Sequence, residues 1–530
     1  MHKVPSVSHE ILLENDQDLG ELINGRLKTG ADELKWLPIA DLFALIHHRN
    51  VRKALSLALR SRQPPGADLD GYLDRHTQEF CREERYHDHR TDRMLSTSRR
   101  GLFAVLALSN LLAYAPSFVE ADVWDRHLPL DHWQSQALVS RADSSKRVAI
   151  QEWNFRLADS FGRYQHYVLS PFFDMRSPND VSVHSIEKSC ALPFTEEFAP
   201  LREGHHGTVR RVRIHPAHHN FVADDAENPY FAVKELASSN RQDEKFENEV
   251  GAWAKSVGVK GHQHIIRLLA TWQQHNSWYL LFPWAEGNLE DYWKENPGGN
   301  QPEENEGSPK REASRRRGLA QWVGKQLMGL AEGLTQIHRP PSDAAQGEAS
   351  EVMDYGIHGD IKPHNILRFK DKDDEPGRLV ICDFGFARFH SRASRSAANS
   401  EGDSLTYRAP ECDQANRGGA GGFKISRACD IWALGCVFLE FMVWCLQGFE
   451  EVEEFTKERV EGHIGYNVRH DTFFLQPVDQ LPSPDAIVKP CVKKVSNRIH
   501  RAILSLSTAP LANLTYFPAD SQPPRPSRLQ

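Results

Sequence analysis

Cysteine is sparse and unpatterned: eight residues, at 81, 190, 382, 412, 429, 436, 445 and 491, with no Cys-x-x-Cys pair. That excludes a disulfide framework or a zinc ribbon and reads as the reduced thiols of an intracellular protein. Strong charge of either sign is also missing. A net charge of −8 over 530 residues gives no electrostatic ground for binding nucleic acid or an anionic membrane. Histidine is abundant at 26, yet no His-Glu-x-x-His or other metal-ligand spacing occurs. Runs such as His87-Asp88-His89 and His218-His219 therefore read as solvated surface. The N-terminus, Met-His-Lys-Val-Pro, lacks a basic segment followed by an apolar run, so no secretory leader is expected. One long uncharged run exists, 101–119, but Ser109, Asn110, Tyr114 and Pro116 dilute it. A Pro-interrupted buried helix is expected there, not a membrane span.

What is present points to more than one domain. A chain of 530 residues with 40% hydrophobic content is too long for one ordinary core. Residues 1–190 are expected to be mainly α-helical. Apolar residues recur at helical spacing in 36–59 and 102–114, and Trp36, Trp124, Trp133 and Trp153 suit a packed core. No catalytic constellation shows in this region, which reads as a helical interaction domain of unknown function. From residue 192 the texture changes. Short β-type runs (209–214, 230–233, 278–282) give way to helical stretches from about Leu319. Two polar stretches, 295–318 and about 339–352, look like disordered insertions, and 509–530 like a disordered tail. Arg315-Arg316-Arg317 in the first of them resembles a short localisation signal.

The chemistry is densest in 358–365, His-Gly-Asp-Ile-Lys-Pro-His-Asn, followed by Asp383-Phe384-Gly385. Phosphoryl transfer from a metal nucleotide needs such a set: a carboxylate for the attacking hydroxyl, an ammonium for the moving phosphoryl, and oxygen ligands for a divalent cation. The chain here resembles the eukaryotic protein kinases, and an ordered series of motifs over roughly 192–445 carries the resemblance. It implies an α+β, two-lobed kinase-like fold over 192–508, with a small β-rich lobe, a large helical lobe and Mg·ATP in the cleft, preceded by the helical N-terminal domain.

Residue by residue, the resemblance assigns Gly204, Gly207 and Val209 of Leu-Arg-Glu-Gly-His-His-Gly-Thr-Val (201–209) to the phosphate loop and the adenine contact. Arg202 stands where a first glycine is usual, and His206 where an aromatic usually caps the tip. Lys234, ending Phe-Ala-Val-Lys, would reach the α- and β-phosphates, oriented by Glu249. Phe282 would back the adenine pocket and Ala285 lie in the hinge. Asp360 would be the catalytic carboxylate and Lys362 would neutralise the γ-phosphate. Asn365 and Asp383 would hold Mg²⁺. An ordinary Asp has a pKa of about 3.9, so Asp360 would position the hydroxyl more than deprotonate it early.

Gly359 replaces the arginine most familiar before the catalytic Asp. Small-molecule phosphotransferases of the aminoglycoside and choline kinase type share His-Gly-Asp-x-x-x-x-Asn. Lys362, the Asp-Phe-Gly triplet, Ala409-Pro410-Glu411 and Asp430-Ile-Trp-Ala-Leu-Gly435 decide for a protein kinase. Asp360-x-Lys362 resembles the Ser/Thr type, and Ser404 stands where such kinases bridge the two. The segment 383–411 holds Ser391, Ser394, Ser396, Ser400 and Thr406 among Arg388, Arg392 and Arg395, a plausible phosphorylation segment. No late arginine is evident to pair with Glu411, so the large lobe is expected to be shortened, with a buried Glu411 costing a few kcal/mol. That raises a second reading, a kinase-fold scaffold, against which stand all six of Lys234, Glu249, Asp360, Lys362, Asn365 and Asp383. The layout, and Ile-His-Pro-Ala-His-His-Asn-Phe at 214–221, is similar to kinase-like proteins of filamentous fungi. The expected protein is a cytoplasmic or nuclear Ser/Thr kinase using ATP and Mg²⁺ on unidentified protein substrates. Its N-terminal region would recruit protein partners, and neither nucleic acid nor membrane is an expected partner.

Overall fold

A computed structural model describes residues 10–507 except 15–16, 61–67, 89–92, 133–136, 151, 177–180, 200–201, 205–206, 223–227, 237–260, 298–308, 340–354, 373, 384–387, 391–404, 412–425, 461–470 and 476–485. The chain forms two compact units. The first comprises Met1–Gly287, Glu332–His358 and Leu367–Ala393; the second comprises Asn288–Ala331, Gly359–Ile366 and Ser394–Gln530.

In the first unit, seven helices build the N-terminal core: α1 (Leu19–Asn24), α2 (Ile39–Leu45), α3 (His48–Leu59), α4 (Leu69–Cys81), α5 (Arg100–Leu108), α6 (Ala115–Glu120) and α7 (Phe155–Gln165). Helix α5 is its centre, with residues 101–107 all buried. Its first N–H groups would be orphaned in that setting, but the Asp125 carboxylate accepts from Gly101 N at 3.0 Å and Leu102 N at 2.8 Å. The uncharged run 101–119 is therefore buried over α5 and partly buried beyond it, with Asn110 exposed, and proline does not interrupt a helix in it. Asn110, at φ +57°, follows the end of α5, and Pro116 lies in the first turn of α6, where a missing N–H is harmless. The region is also less purely helical than expected. It carries the hairpins β1 (Lys28–Thr29)–β2 (Lys35–Trp36) and β3 (Glu84–Asp88)–β4 (Arg93–Thr97). A small sheet, β5 (Leu130–His132)–β6 (Ala137–Ser140)–β7 (Arg147–Ala149), completes it. Strands of two to five residues are too short to show a period-2 pattern.

The same unit contains a seven-stranded sheet: β8 (Ser182–Ser185), β9 (Phe194–Glu197), β10 (Arg202–Gly204), β11 (Gly207–Ile214), β12 (Tyr230–Glu235), β13 (Ala270–Gln274) and β14 (Ser277–Pro283). The order is β10-β11-β12-β14-β13-β8, with β9 also on β11 and only β8 parallel to its neighbour. The sheet thus recruits β8 from ahead of the expected boundary at 190. Its apolar face, with Val212, Phe231, Val233, Ala270, Trp272 and Leu281, is covered by Phe173, Met175 and Phe194. Burial of that face requires residues 173–194, which is why the sheet does not begin at 192.

The N-terminal helices and the sheet meet at His218, which is fully buried, with His219 almost so. His218 Nε2 accepts from Ile39 N at 3.1 Å and Nδ1–H donates to Pro171 O at 2.9 Å. Trp36 packs edge-on against His218 and His215, with ring centroids 5.0 and 5.4 Å apart. The expectation of solvated surface here is wrong, because each ring nitrogen of His218 has a backbone partner that compensates its burial. Desolvation pushes the His218 pKa down to about 3.

Five further strands form two small sheets: β16 (Tyr355–Ile357) pairs with β19 (Arg388–His390), and β15 (Gly287–Asn288), β17 (Ile366–Asp371) and β18 (Asp374–Ile381) are neighbours in that order. Gly377, at φ +92°, lies 2.2 Å from Phe369 O at the point a Cβ would occupy, so only glycine fits.

The second unit is helical: α8 (Leu289–Glu295), α9 (Pro309–Ile337, up to Ala331 in this unit), α10 (Arg427–Gln447), α11 (Phe449–Val460) and α12 (Pro490–Ser507), with one hairpin, β20 (Phe474–Leu475)–β21 (Ile487–Val488). Tyr292, Trp293, Trp322, Phe441 and Trp444 form its aromatic centre. Helix α10 is long and apolar enough by composition to cross a membrane, yet it buries Asp430 and Glu440 and packs Phe441 and Trp444 into that centre, as a core helix does. Helix α9 starts at Pro309, so the stretch 295–318 is not a loop throughout, and Arg315–Arg317 are helical. Lacking an apolar face, its first turns give no period to read. Residues 340–352 of the second expected insertion, and 509–530, lie outside the described residues.

Candidate active site

The first unit supplies a nucleotide-type face. Strand register sets Val209 opposite Lys234, Lys234 opposite Leu280, and Ala232 opposite Phe282. Directly paired residues, and those two apart on one strand, share a sheet face. Val209, Ala232, Lys234 and Phe282 therefore lie together, on the face opposite Val212, Phe231, Val233 and Leu281. Gly204 pairs with Gly207 at the end of the β10–β11 hairpin; His205 and His206 lie outside the described residues. Ala285 is half-buried two residues past β14.

Lys234 is only 8% exposed, and its Nζ lies 3.0 Å from Asp383 Oδ1. A buried ammonium needs such a partner. Asp383 has φ +66°, a left-handed backbone that costs a non-glycine residue about 1–3 kcal/mol and concentrates at functional sites. Glu249, the expected partner of Lys234, lies outside the described residues, as do Phe384, Gly385 and Ser404. His358 is fully buried, and its Nε2–H donates to Cys382 O at 3.0 Å, tying it to the residue before Asp383.

The second unit holds Asp360, Lys362 and Asn365 in contact. Lys362 Nζ lies 2.7 Å from Asp360 Oδ2. Asn365 Nδ2 donates to the same oxygen and to Asp360 O, both at 2.8 Å. Since both partners are acceptors, the amide orientation is determined: nitrogen faces Asp360 and the carbonyl oxygen points away from it. A free-facing amide oxygen and a carboxylate, Asn365 and Asp383, are the hard oxygen donors that Mg²⁺ takes, so the residue chemistry fits that ion. Gly359, at φ +85°, donates its N–H to Asp430 Oδ1 at 2.8 Å. Asp430 is 1% exposed in α10. It was legible as part of a motif but not as the anchor of this turn; the available signal was an acid inside a strongly apolar helix.

Glu411 is half-buried, with its Oε1 3.7 Å from Cys429 Sγ. The expected cost of a fully buried Glu411 therefore does not arise. A late arginine does exist, Arg459, but it pairs with other acids: Nη2 lies 2.8 Å from Glu440 Oε1 and Nε 2.6 Å from Asp471 Oδ1. Desolvation keeps the Glu440 carboxyl above its ordinary range even so.

Each unit by itself thus carries residues of the types that phosphoryl transfer uses. Residues 219–463 match the protein kinase domain family. The chain is 29% identical over 185 residues to Cyclin-dependent kinase 8 of Drosophila melanogaster, covering 34% of each. It is 28% identical over 182 residues to Cyclin-dependent kinase-like 2 of Rattus norvegicus (34% of this chain, 27% of that one). It is 27% identical over 199 residues to Cyclin-dependent kinase 14 of Oryctolagus cuniculus (37% and 33%). The chain thus spans about a third of the length of these relatives. The matches support the eukaryotic protein kinase superfamily.

Proposed function

We propose that the protein is a Ser/Thr protein kinase that transfers the γ-phosphate of ATP to protein hydroxyls. The contact of Asp360 with both Lys362 and Asn365 carries this reading. Asp360 would accept a hydrogen bond from the acceptor hydroxyl, its carboxylate held in place by the Asn365 amide. Lys362 would offset charge on the transferring phosphoryl. Lys234 would bind the α- and β-phosphates, with Val209, Ala232 and Phe282 against the base and Gly204 and Gly207 allowing close backbone approach. When bound, Mg²⁺ would screen the phosphate charge, with Asn365 and Asp383 as its protein ligands. A cytoplasmic location, unidentified protein substrates and partners for the N-terminal region belong to the same proposal.

The test is label transfer from γ-³²P ATP with Mg²⁺ to histone and to the protein itself, comparing wild type with Asp360→Asn. Transfer by wild type that is lost in a folded Asp360→Asn variant supports the reading. A folded wild type that transfers nothing with Mg²⁺ or Mn²⁺ favours a scaffold, and transfer only to small-molecule alcohols favours a small-molecule kinase.

A further inference from the structure

The arginine-rich start of α9 serves neither the core nor the catalytic turn. Of the described side chains in 311–318, none is buried. Gly318 stands inside the helix with open space around it, which lowers the helix propensity of these turns. Ser314 is exposed in the second turn. Arg311 and Arg317, three residues before and after it, are exposed too, and neither forms an ion pair among the described residues. Arg315 and Arg316, by contrast, are half-buried and have partners.

Side chains three apart on a helix are neighbours, with Cβ atoms about 5–6 Å apart. The Ser314 hydroxyl therefore stands between two guanidinium groups that have no carboxylate to satisfy them. A neutral hydroxyl cannot fill that role. A phosphate on the same oxygen can, because it brings a charge of about −2 and three acceptor oxygens, enough for one arginine fork on each side.

We propose that Ser314 is a phosphorylation site, modified by an arginine-directed Ser/Thr protein kinase and afterwards clamped by Arg311 and Arg317. In the step, the Ser314 oxygen bonds to the γ-phosphorus of ATP as the bond from that phosphorus to the β,γ-bridging oxygen breaks. ADP leaves, and the hydroxyl proton passes to solvent. Arg311 presents the positive charge ahead of the serine that an acidic acceptor groove selects. An acceptor must lie extended in such a groove, and turns that bury no side chain open at low cost. The inference does not rest on the kinase reading above, since the modifying enzyme is a separate one. It gives the arginine run 315–317 a setting other than a localisation signal, beside a serine whose charge can be switched.

The full-length Asp360→Asn chain, silenced for any transfer of its own, is treated with γ-³²P ATP, Mg²⁺ and the catalytic subunit of cyclic-AMP-dependent protein kinase, and the label is mapped by peptide mass spectrometry. Label is expected at Ser314, absent in Ser314→Ala and incorporated roughly 10-fold more slowly in Arg311→Ala. All three substituted side chains, Arg311, Ser314 and Arg317, are exposed, so the fold is retained. Phosphorylation should slow amide hydrogen exchange at 309–318 roughly 3- to 10-fold, and Arg317→Ala should abolish that gain without slowing incorporation. An unlabelled Ser314, or incorporation in Arg311→Ala at the unsubstituted rate, overturns the site. Exchange at 309–318 that is unchanged or faster after phosphorylation overturns the clamp. Label at Ser314 in the wild-type chain with no kinase added upholds the site and overturns the separate enzyme, making the chain its own modifier.

Discussion

Lys234 and Asp383 illustrate how single residues here combine burial with charge. The ammonium is nearly enclosed and the carboxylate sits on a left-handed backbone, so neither position is one that stability alone favours. Replacing Lys234 by Met keeps the volume and removes the charge. Phosphoryl transfer is expected to fall by about 10²-fold or more, with the far-UV spectrum and cooperative unfolding retained. Normal transfer by Lys234→Met would remove Lys234 from the nucleotide site. Gly359 presents the opposite case, a residue whose lack of a side chain matters. At φ +85° a Cβ costs about 1–2 kcal/mol, so Gly359→Ala should lower stability by that amount in denaturant titration. Gly359→Arg would carry the same strain, which bears on why no arginine precedes Asp360. An unchanged midpoint in Gly359→Ala would show that the turn relaxes freely.

Elements are joined as much by buried polar contacts as by apolar ones. The link between α2 and the 3₁₀ turn Pro216–His218 runs through a neutral imidazole. His218 takes up its proton only near pH 3 when folded, whereas an unfolded histidine does so near 6.5. Between those values the unfolded chain binds the extra proton, so stability is complete above about pH 6.5 and is lost as the pH falls toward 3, with a slope of at most about 1.4 kcal/mol per pH unit. His218→Gln should flatten the stability profile across that window relative to wild type, as read by urea unfolding at pH 7, 6 and 5. Parallel profiles for the two proteins would exclude His218 as the titrating group.

At the scale of the molecule, the first unit joins the N-terminal helices to the seven-stranded sheet, and the expected division at 190 cuts through it. Phe173 and Met175 cover the sheet's apolar face, β8 extends its edge, and Ile39 holds His218. A fragment of residues 192–508 would expose that face and leave His218 unpaired. It is expected to aggregate or to unfold without a cooperative transition, where the full chain unfolds cooperatively. A soluble 192–508 fragment that melts at the temperature of the full chain would show the N-terminal region to be an independent appendage.

The amino-acid sequence by itself determined which residues make up the candidate site, because residue types suited to the proposed chemistry stand at fixed spacing along short stretches. Asp360, Lys362 and Asn365 lie within one turn, and β11, β12 and β14 announce themselves as short β-branched and aromatic runs. Tertiary structure decided whatever depends on residues far apart in the chain. Asp125 capping α5, β8 joining the sheet, Asp430 holding Gly359 and Arg459 choosing Glu440 and Asp471 over Glu411 are all long-range pairings. Local sequence records that an acid, an arginine or a histidine is present; which buried group it satisfies is settled only when folding withdraws water and leaves each polar atom to the partners within reach.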